Sequence, residues 1–193
     1  MNGAVTLYLM RHGVPQPGGR LLGHLDAPPE AEGIALCVER ARGLDFARVV
    51  TSDLSRAQAP GAIIAAERGV GHGVDARWRE LHFGQWEGAD PITLPADDLA
   101  RFWDDPDGFP PPGGESWADL RARIGAGLDD LAGPALVVSH AGAMRAALAV
   151  LCGFDARQGW AVDLPYGAVL SLRVWPGAQG AERPSGQIIG LVT

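Results

Sequence analysis

Two short apolar runs in this chain, Val5–Met10 and Pro134–Ser139, each lead into a histidine followed by a small residue. The first continues as Arg11-His12-Gly13, the second as His140-Ala141-Gly142. Runs this short and apolar, with β-branched residues among them, read as buried strands. Around them, short strands alternate with helices, the pattern of an α/β fold with a mostly parallel sheet. Strands that end alike in such a sheet bring their last side chains together at the carboxyl edge, where ligands bind. His12 and His140 are therefore expected to meet.

Residues 14–30 form a loop directly after the first histidine, punctuated by Pro15, Pro17, Gly23, Pro28 and Pro29. A helix Glu30–Leu44 follows, with Ile34, Cys37, Val38, Ala41 and Leu44 on one face. Ala47–Thr51 is a second buried strand. The next helix, Leu54–Arg68, has Asp53 as its expected N-cap and Arg56 in its first turn, where free N–H groups and the helix dipole favour an anion. Pro60 inside that helix deletes the bond to the Arg56 carbonyl and is expected to kink it. A third strand is expected near Gly73–Arg77. The chain reads as a single domain, 1–193, with a lid-like insertion at about 84–116 that holds a short helix around Pro95–Trp103. Phe83, Trp86, Phe102, Trp103, Phe109 and Trp117 cluster there, as a lid lining an organic group or, more simply, as a satellite core. Ser116 and Asp119 signal the start of a helix that buries Trp117, Leu120, Ile124, Leu128 and Leu131. After His140 come a helix Gly142–Leu151 and strands at Val162–Asp163, Ala168–Trp175 and Gly186–Val192.

The charge balance narrows the possible partners. A net charge of −7 and a pI of about 5.1 argue against nucleic acid and anionic membranes. All 16 basic residues are arginine, so any anion site must use guanidinium forks. Cys37 and Cys152 read as reduced, buried thiols rather than a disulfide or metal site. The N-terminus has no basic segment ahead of its apolar run, and Arg145 interrupts the apolar stretch Ala141–Leu151. The expectation is a cytoplasmic, soluble protein that uses no metal and no cofactor.

Five side chains suit one reaction class. Phosphoryl transfer needs the non-bridging oxygens held and neutralised while the group moves in line. Arg11, Arg56 and a protonated His140 can grip those oxygens. An unprotonated His12 can attack phosphorus and leave again. Glu80 can protonate the departing alkoxide and then deprotonate water, with Glu87 and Asp90 as rival carboxylates. His24, His72 and His82 read as loop or surface residues.

The segments Leu9-Met10-Arg11-His12-Gly13, Thr51-Ser52-Asp53-Leu54-Ser55-Arg56-Ala57, Arg79-Glu80-Leu81-His82-Phe83-Gly84-Gln85-Trp86-Glu87-Gly88 and Val138-Ser139-His140-Ala141-Gly142 stand in an order that resembles the histidine phosphatase superfamily, also called phosphoglycerate mutase-like. The resemblance implies a three-layer α/β/α fold with a mixed central sheet. It implies His12 as nucleophile, Glu80 as proton donor, and Arg11, Arg56 and His140 as the phosphate pocket. Pro111-Pro112-Gly113-Gly114-Glu115-Ser116 and Pro165-Tyr166-Gly167-Ala168-Val169 resemble the α-ribazole phosphatase branch, which implies a small phosphorylated metabolite as substrate, α-ribazole 5′-phosphate or, for a broad-specificity phosphatase, several phosphomonoesters. Val14, Pro15, Pro28-Pro29-Glu30 and Ala141 depart from the usual family pattern, the first two in the substrate-facing loop.

Three other readings stay open at this level. His12, His140 and Glu80 could ligate a metal, although two guanidiniums beside them would repel a divalent cation. The pocket could bind an anion without reacting. A mutase could move phosphate between hydroxyls of a small acid.

Overall fold

A computed structural model describes residues 3–175, 177 and 184–193. At its centre lies a six-stranded sheet of order β3-β2-β4-β1-β5-β6. Its strands are β1 (Val5–Arg11), β2 (Arg48–Thr51), β3 (Gly71–Val74), β4 (Ala135–Ser139), β5 (Val169–Trp175) and β6 (Ser185–Val192). β3, β2, β4 and β1 run parallel, while β5 and β6 add an antiparallel edge. The sheet is mixed, and its parallel half carries both histidines.

Successive side chains point to opposite faces of a strand, and the two faces have separate cores. Leu7, Leu9, Ala135 and Val137 pack with residues of α4 (Trp117–Asp129) and α5 (Ala141–Cys152). Met10, Val49, Leu136 and Val138 pack with residues of α1 (Ala31–Ala41) and α2 (Ser55–Arg68). Helices on both faces give three layers, α/β/α. β4 is interior and buries all five of its residues, so it shows no polar alternation. Each fully buried Leu or Val in these layers contributes about 1.5–3 kcal/mol. Cys37 belongs to one core and Cys152 packs against the other; both are free thiols, and burial pushes Cys37 up to about 12.

Glycine sets one close approach that the site depends on. A Cβ on Gly13 would lie 2.2 Å from the Gly33 carbonyl oxygen, and one on Gly33 would lie 2.7 Å from the Val14 amide. The turn after His12 and the start of α1 therefore meet backbone to backbone, with room for hydrogens only.

Several boundaries differ from the sequence expectations. The first long helix is shorter at both ends, with Glu30 just outside it. Asp53 does not cap α2: Leu54 occupies that position, and Asp26 accepts from the Ser55 amide and hydroxyl instead. Asp53 is engaged bidentately by Arg79, a stronger partner than a single amide. Pro60 is buried inside α2. The third strand ends at Val74, because Asp75 turns the chain into a single 3₁₀ turn at Ala76–Trp78. Val162–Asp163 is not a strand; it follows a five-residue helix, α6 (Ala156–Trp160), whose capping box joins Asp155 and Gln158. The box on α4, Ser116 with Asp119, is formed as expected. The helix expected around Pro95–Trp103, α3, spans Ala96–Asp104. The aromatic cluster is not a satellite: Phe83, Trp86, Phe102 and Trp117 are buried within the core on the α4–α5 side, while Trp103 and Phe109 are exposed. No helix among the described residues is long and apolar enough to cross a membrane.

Replacing Gly13 by Ala forces the first loop and α1 apart. We expect a loss of about 1–3 kcal/mol in urea unfolding, the usual cost of overpacking a tight contact, and an unchanged midpoint would show that the contact can relax.

Candidate active site

Parallel pairing of β1 with β4 puts Arg11 opposite Ser139, and the His12 amide donates to the Ser139 carbonyl at 2.9 Å. The residue just past the end of each strand is the histidine. Their ring centroids lie 4.9 Å apart, edge to face. Both rings are buried, at 5% and 0% exposure.

Hydrogen-bond partners fix both tautomers. The Gly13 carbonyl can only accept, and it lies 2.6 Å from His12 Nδ1. That nitrogen carries the proton, and Nε2 keeps the lone pair. Arg56 Nε can only donate, and it lies 3.3 Å from His140 Nδ1. The proton of His140 is therefore on Nε2, which donates to Ser52 Oγ at 2.9 Å. Burial pushes both imidazoles well below their ordinary range, with Arg56 as the next cause for each. Both rings are neutral near pH 7. Because His140 spends both nitrogens on Arg56 and Ser52, it has no lone pair for a metal shared with His12 and Glu80.

Not every expected residue reaches the same surface. A cavity of about 220 Å³ opens beside His12 and is lined by Arg11, His12 and Glu80, but not by Arg56 or His140. Arg56 is fully buried behind His12. It donates to the carbonyls of Leu22, Gly23 and Leu25 at 2.7–2.9 Å as well as to His140. Burial lowers its pKa from an ordinary guanidinium's. Arg11 donates from Nη1 to the Leu164 carbonyl at 2.7 Å and stacks on Tyr166 at 3.9 Å. Its Nη2 has no protein partner among the described residues.

The carboxylates separate clearly. Glu80 lines the cavity and accepts from the Leu81 amide at 2.9 Å and the Gly142 amide, at the start of α5, at 3.0 Å. A Cβ on residue 142 would sit 2.1 Å from Glu80 Oε1, so only glycine lets the carboxylate lie there. Glu87 instead accepts four amides, from Gly23, His24, Leu25 and Phe83. Asp90 caps a 3₁₀ turn at Pro91–Thr93. His24 and His82 face each other at 4.7 Å, and His72 bonds Thr51.

Sequence reasoning missed part of the lining. Arg145, Trp160 and Tyr166 also border the cavity, with Phe102, Trp103 and Trp117. Arg145 stacks on Trp160 at 4.6 Å and donates to the Gly159 and Val162 carbonyls. The available signal was a lone charge in the apolar run of α5. The capping box before Trp160 was the signal for α6.

The sequence model of the histidine phosphatase superfamily (branch 1) matches residues 7–184. A relative from Yersinia pestis (strain Pestoides F), named "Probable phosphoglycerate mutase GpmB", is 34% identical over 165 residues, covering 79% of this chain and 77% of the relative. The solved structure of a mycobacterial glucosyl-3-phosphoglycerate phosphatase superposes with TM-score 0.81 at 26% identity, covering 96% and 97% of the two chains. A "putative alpha-ribazole-5'-P phosphatase" from Escherichia coli gives TM-score 0.81 at 25% identity, covering 98% and 97%.

Two neutral buried histidines make stability pH-dependent in a definite direction. Unfolded imidazoles take protons near 6.5; the folded ones resist until lower pH. The unfolded chain then binds more protons, so stability falls as pH drops below about 6.5. His24 and His72, also shifted down, act in the same sense. Melting temperatures measured from pH 8 to pH 5 should fall, and His140→Asn should flatten the fall; a flat wild-type profile would contradict the assigned neutral state.

Proposed function

The chain belongs to the histidine phosphatase superfamily (branch 1), and on that footing we propose that it hydrolyses a small phosphate monoester through a phosphohistidine on His12. The carrying observation is the tautomer of His12, a residue that lines the cavity: Nδ1–H is tied to Gly13, so the nucleophilic lone pair is on Nε2.

In this reading the phosphoryl group lies between His12 and Glu80, with Arg11 Nη2 on a non-bridging oxygen. His12 Nε2 forms the bond to phosphorus as the ester P–O bond breaks, and Glu80 gives its proton to the leaving alkoxide. Water then attacks phosphorus, the N–P bond breaks, and Glu80 takes the water proton. Arg56 and His140 set the field behind the nucleophile, favouring the dianionic phosphoryl group. To touch its oxygens directly, Arg56 must release a carbonyl of the 22–25 loop, and His140 must turn its Nε2 proton away from Ser52. Residues 84–116 cover the organic part of the substrate, for which Phe102, Trp103 and Trp117 supply flat apolar walls.

Those walls support a substrate with a sizeable organic group, α-ribazole 5′-phosphate among them. The similarity to relatives named as phosphoglycerate mutases supports a second reading, phosphate transfer between hydroxyls of a small acid. A panel of phosphomonoesters including α-ribazole 5′-phosphate and 3-phosphoglycerate separates the two. Hydrolysis with a preference for the larger organic group is expected, and isomerisation of phosphoglycerate without net hydrolysis would favour the mutase. Quenching in base should trap phosphate on the protein in an acid-labile form, and His12→Ala should abolish trapping and lower turnover by at least about 10³-fold. Undiminished turnover in that variant would overturn the mechanism.

A further inference from the structure

Glu80 lies in a stretch that no regular element supports. Residues 79–83 fall between the 3₁₀ turn that ends at Trp78 and the next, which begins at Gly84, outside helix and sheet. Strands and helices satisfy their own amides and carbonyls; this segment must find partners elsewhere. Three of its amides go to carboxylates: Leu81 to Glu80 itself, His82 to Glu115, Phe83 to Glu87.

Two of its carbonyls, with that of Arg77 just before it, go to one guanidinium. Arg123, on α4, donates from Nη1 to the carbonyls of Arg77 and Arg79, and from Nη2 to that of Glu80, all at 2.7 Å. The remaining two donors, on Nε and Nη2, meet Glu115 bidentately at 2.6 and 2.7 Å. All five donors of the fork are therefore used. The pair is largely shielded from solvent, at 18% and 13% side-chain exposure. Glu115 closes the arrangement from the other side, because its own amide donates to the His82 carbonyl at 2.9 Å.

Arg123 does not line the cavity, and its backbone bonds end on the carbonyl of Glu80 itself. We infer that Arg123 and Glu115 are positioning residues that aim the Glu80 carboxyl at the leaving-group oxygen. Lysine cannot replace Arg123 here, since a single ammonium has three donors and no planar fork to span three carbonyls and a carboxylate. The inference rests on the reading of Glu80 as proton donor.

The test exploits leaving-group chemistry. An alkoxide leaves only with a proton, whereas 2,4-dinitrophenolate needs none. The ratio of kcat/KM for an alkyl phosphate to that for 2,4-dinitrophenyl phosphate reports proton delivery in the first step alone. Glu80→Gln should lower the alkyl value by at least about 100-fold and spare the dinitrophenyl value. Arg123→Lys should shift the ratio the same way by at least about tenfold, Glu115→Gln less so, and neither should change it further in the Glu80→Gln background. If Glu80→Gln leaves the ratio unchanged, the proton-donor reading fails and this inference fails with it. If Glu80→Gln shifts the ratio but folded Arg123→Lys and Glu115→Gln lower both substrates equally, or neither, the clamp is structural and only the inference is overturned. Should Arg123→Lys not fold, Glu115→Gln decides by the same ratio.

Discussion

The parallel pairing of β1 with β4 is the constraint from which the site follows. The hydrogen-bond register sets Arg11 opposite Ser139, and the residue just past the end of each strand is a histidine. Neither ring could be held 4.9 Å from the other by loops alone, since the entropy of two free ends would spread them. The sheet has already fixed both backbones when it folds. Gly13 then lets α1 press against the turn that tethers His12 Nδ1.

Beyond the strand ends, charged side chains replace backbone ladders. The 22–25 loop is held from both sides: Glu87 takes the amides of Gly23, His24 and Leu25, and Arg56 gives to the carbonyls of Leu22, Gly23 and Leu25. Arg123 and Glu115 treat residues 77–82 in the same way. A carboxylate accepts several N–H bonds and a guanidinium donates five, so each pair organises an irregular segment that has no ladder of its own. Buried charge is tolerated because it is hydrogen-bonded, through four bonds on Arg56 and five on Arg123.

Burial and charge also act together on the imidazoles. Desolvation and the nearby Arg56 keep both rings neutral, and a neutral ring is the form that can attack phosphorus. The same cation that depresses protonation favours an incoming dianion. In the proposed mechanism, the Arg56 guanidinium therefore serves both the neutral resting state of His12 and the charge that develops on the substrate.

By itself the sequence determined the architecture and the family. Uninterrupted apolar runs mark strands buried on both faces, 3.6-residue stripes mark the helices that cover them, and the order of the histidine, arginine and glutamate segments marks the family. These signals are local, so they survive in one dimension. What only the tertiary structure decided is which polar atoms are already spent. Nothing in Ser-Asp-Leu-Ser-Arg indicates that Arg56 turns to loop carbonyls, that Asp53 leaves the helix cap for Arg79, or that Glu87 is consumed by amides while Glu80 reaches the cavity. Arg145 read only as a charge within an apolar run, yet it lines the cavity with Trp160, a residue from a helix too short to show a period. Hydrogen bonds between segments remote in sequence depend on where the sheet delivers each backbone. That delivery is a property of the packed layers, and no single stretch of chain encodes it.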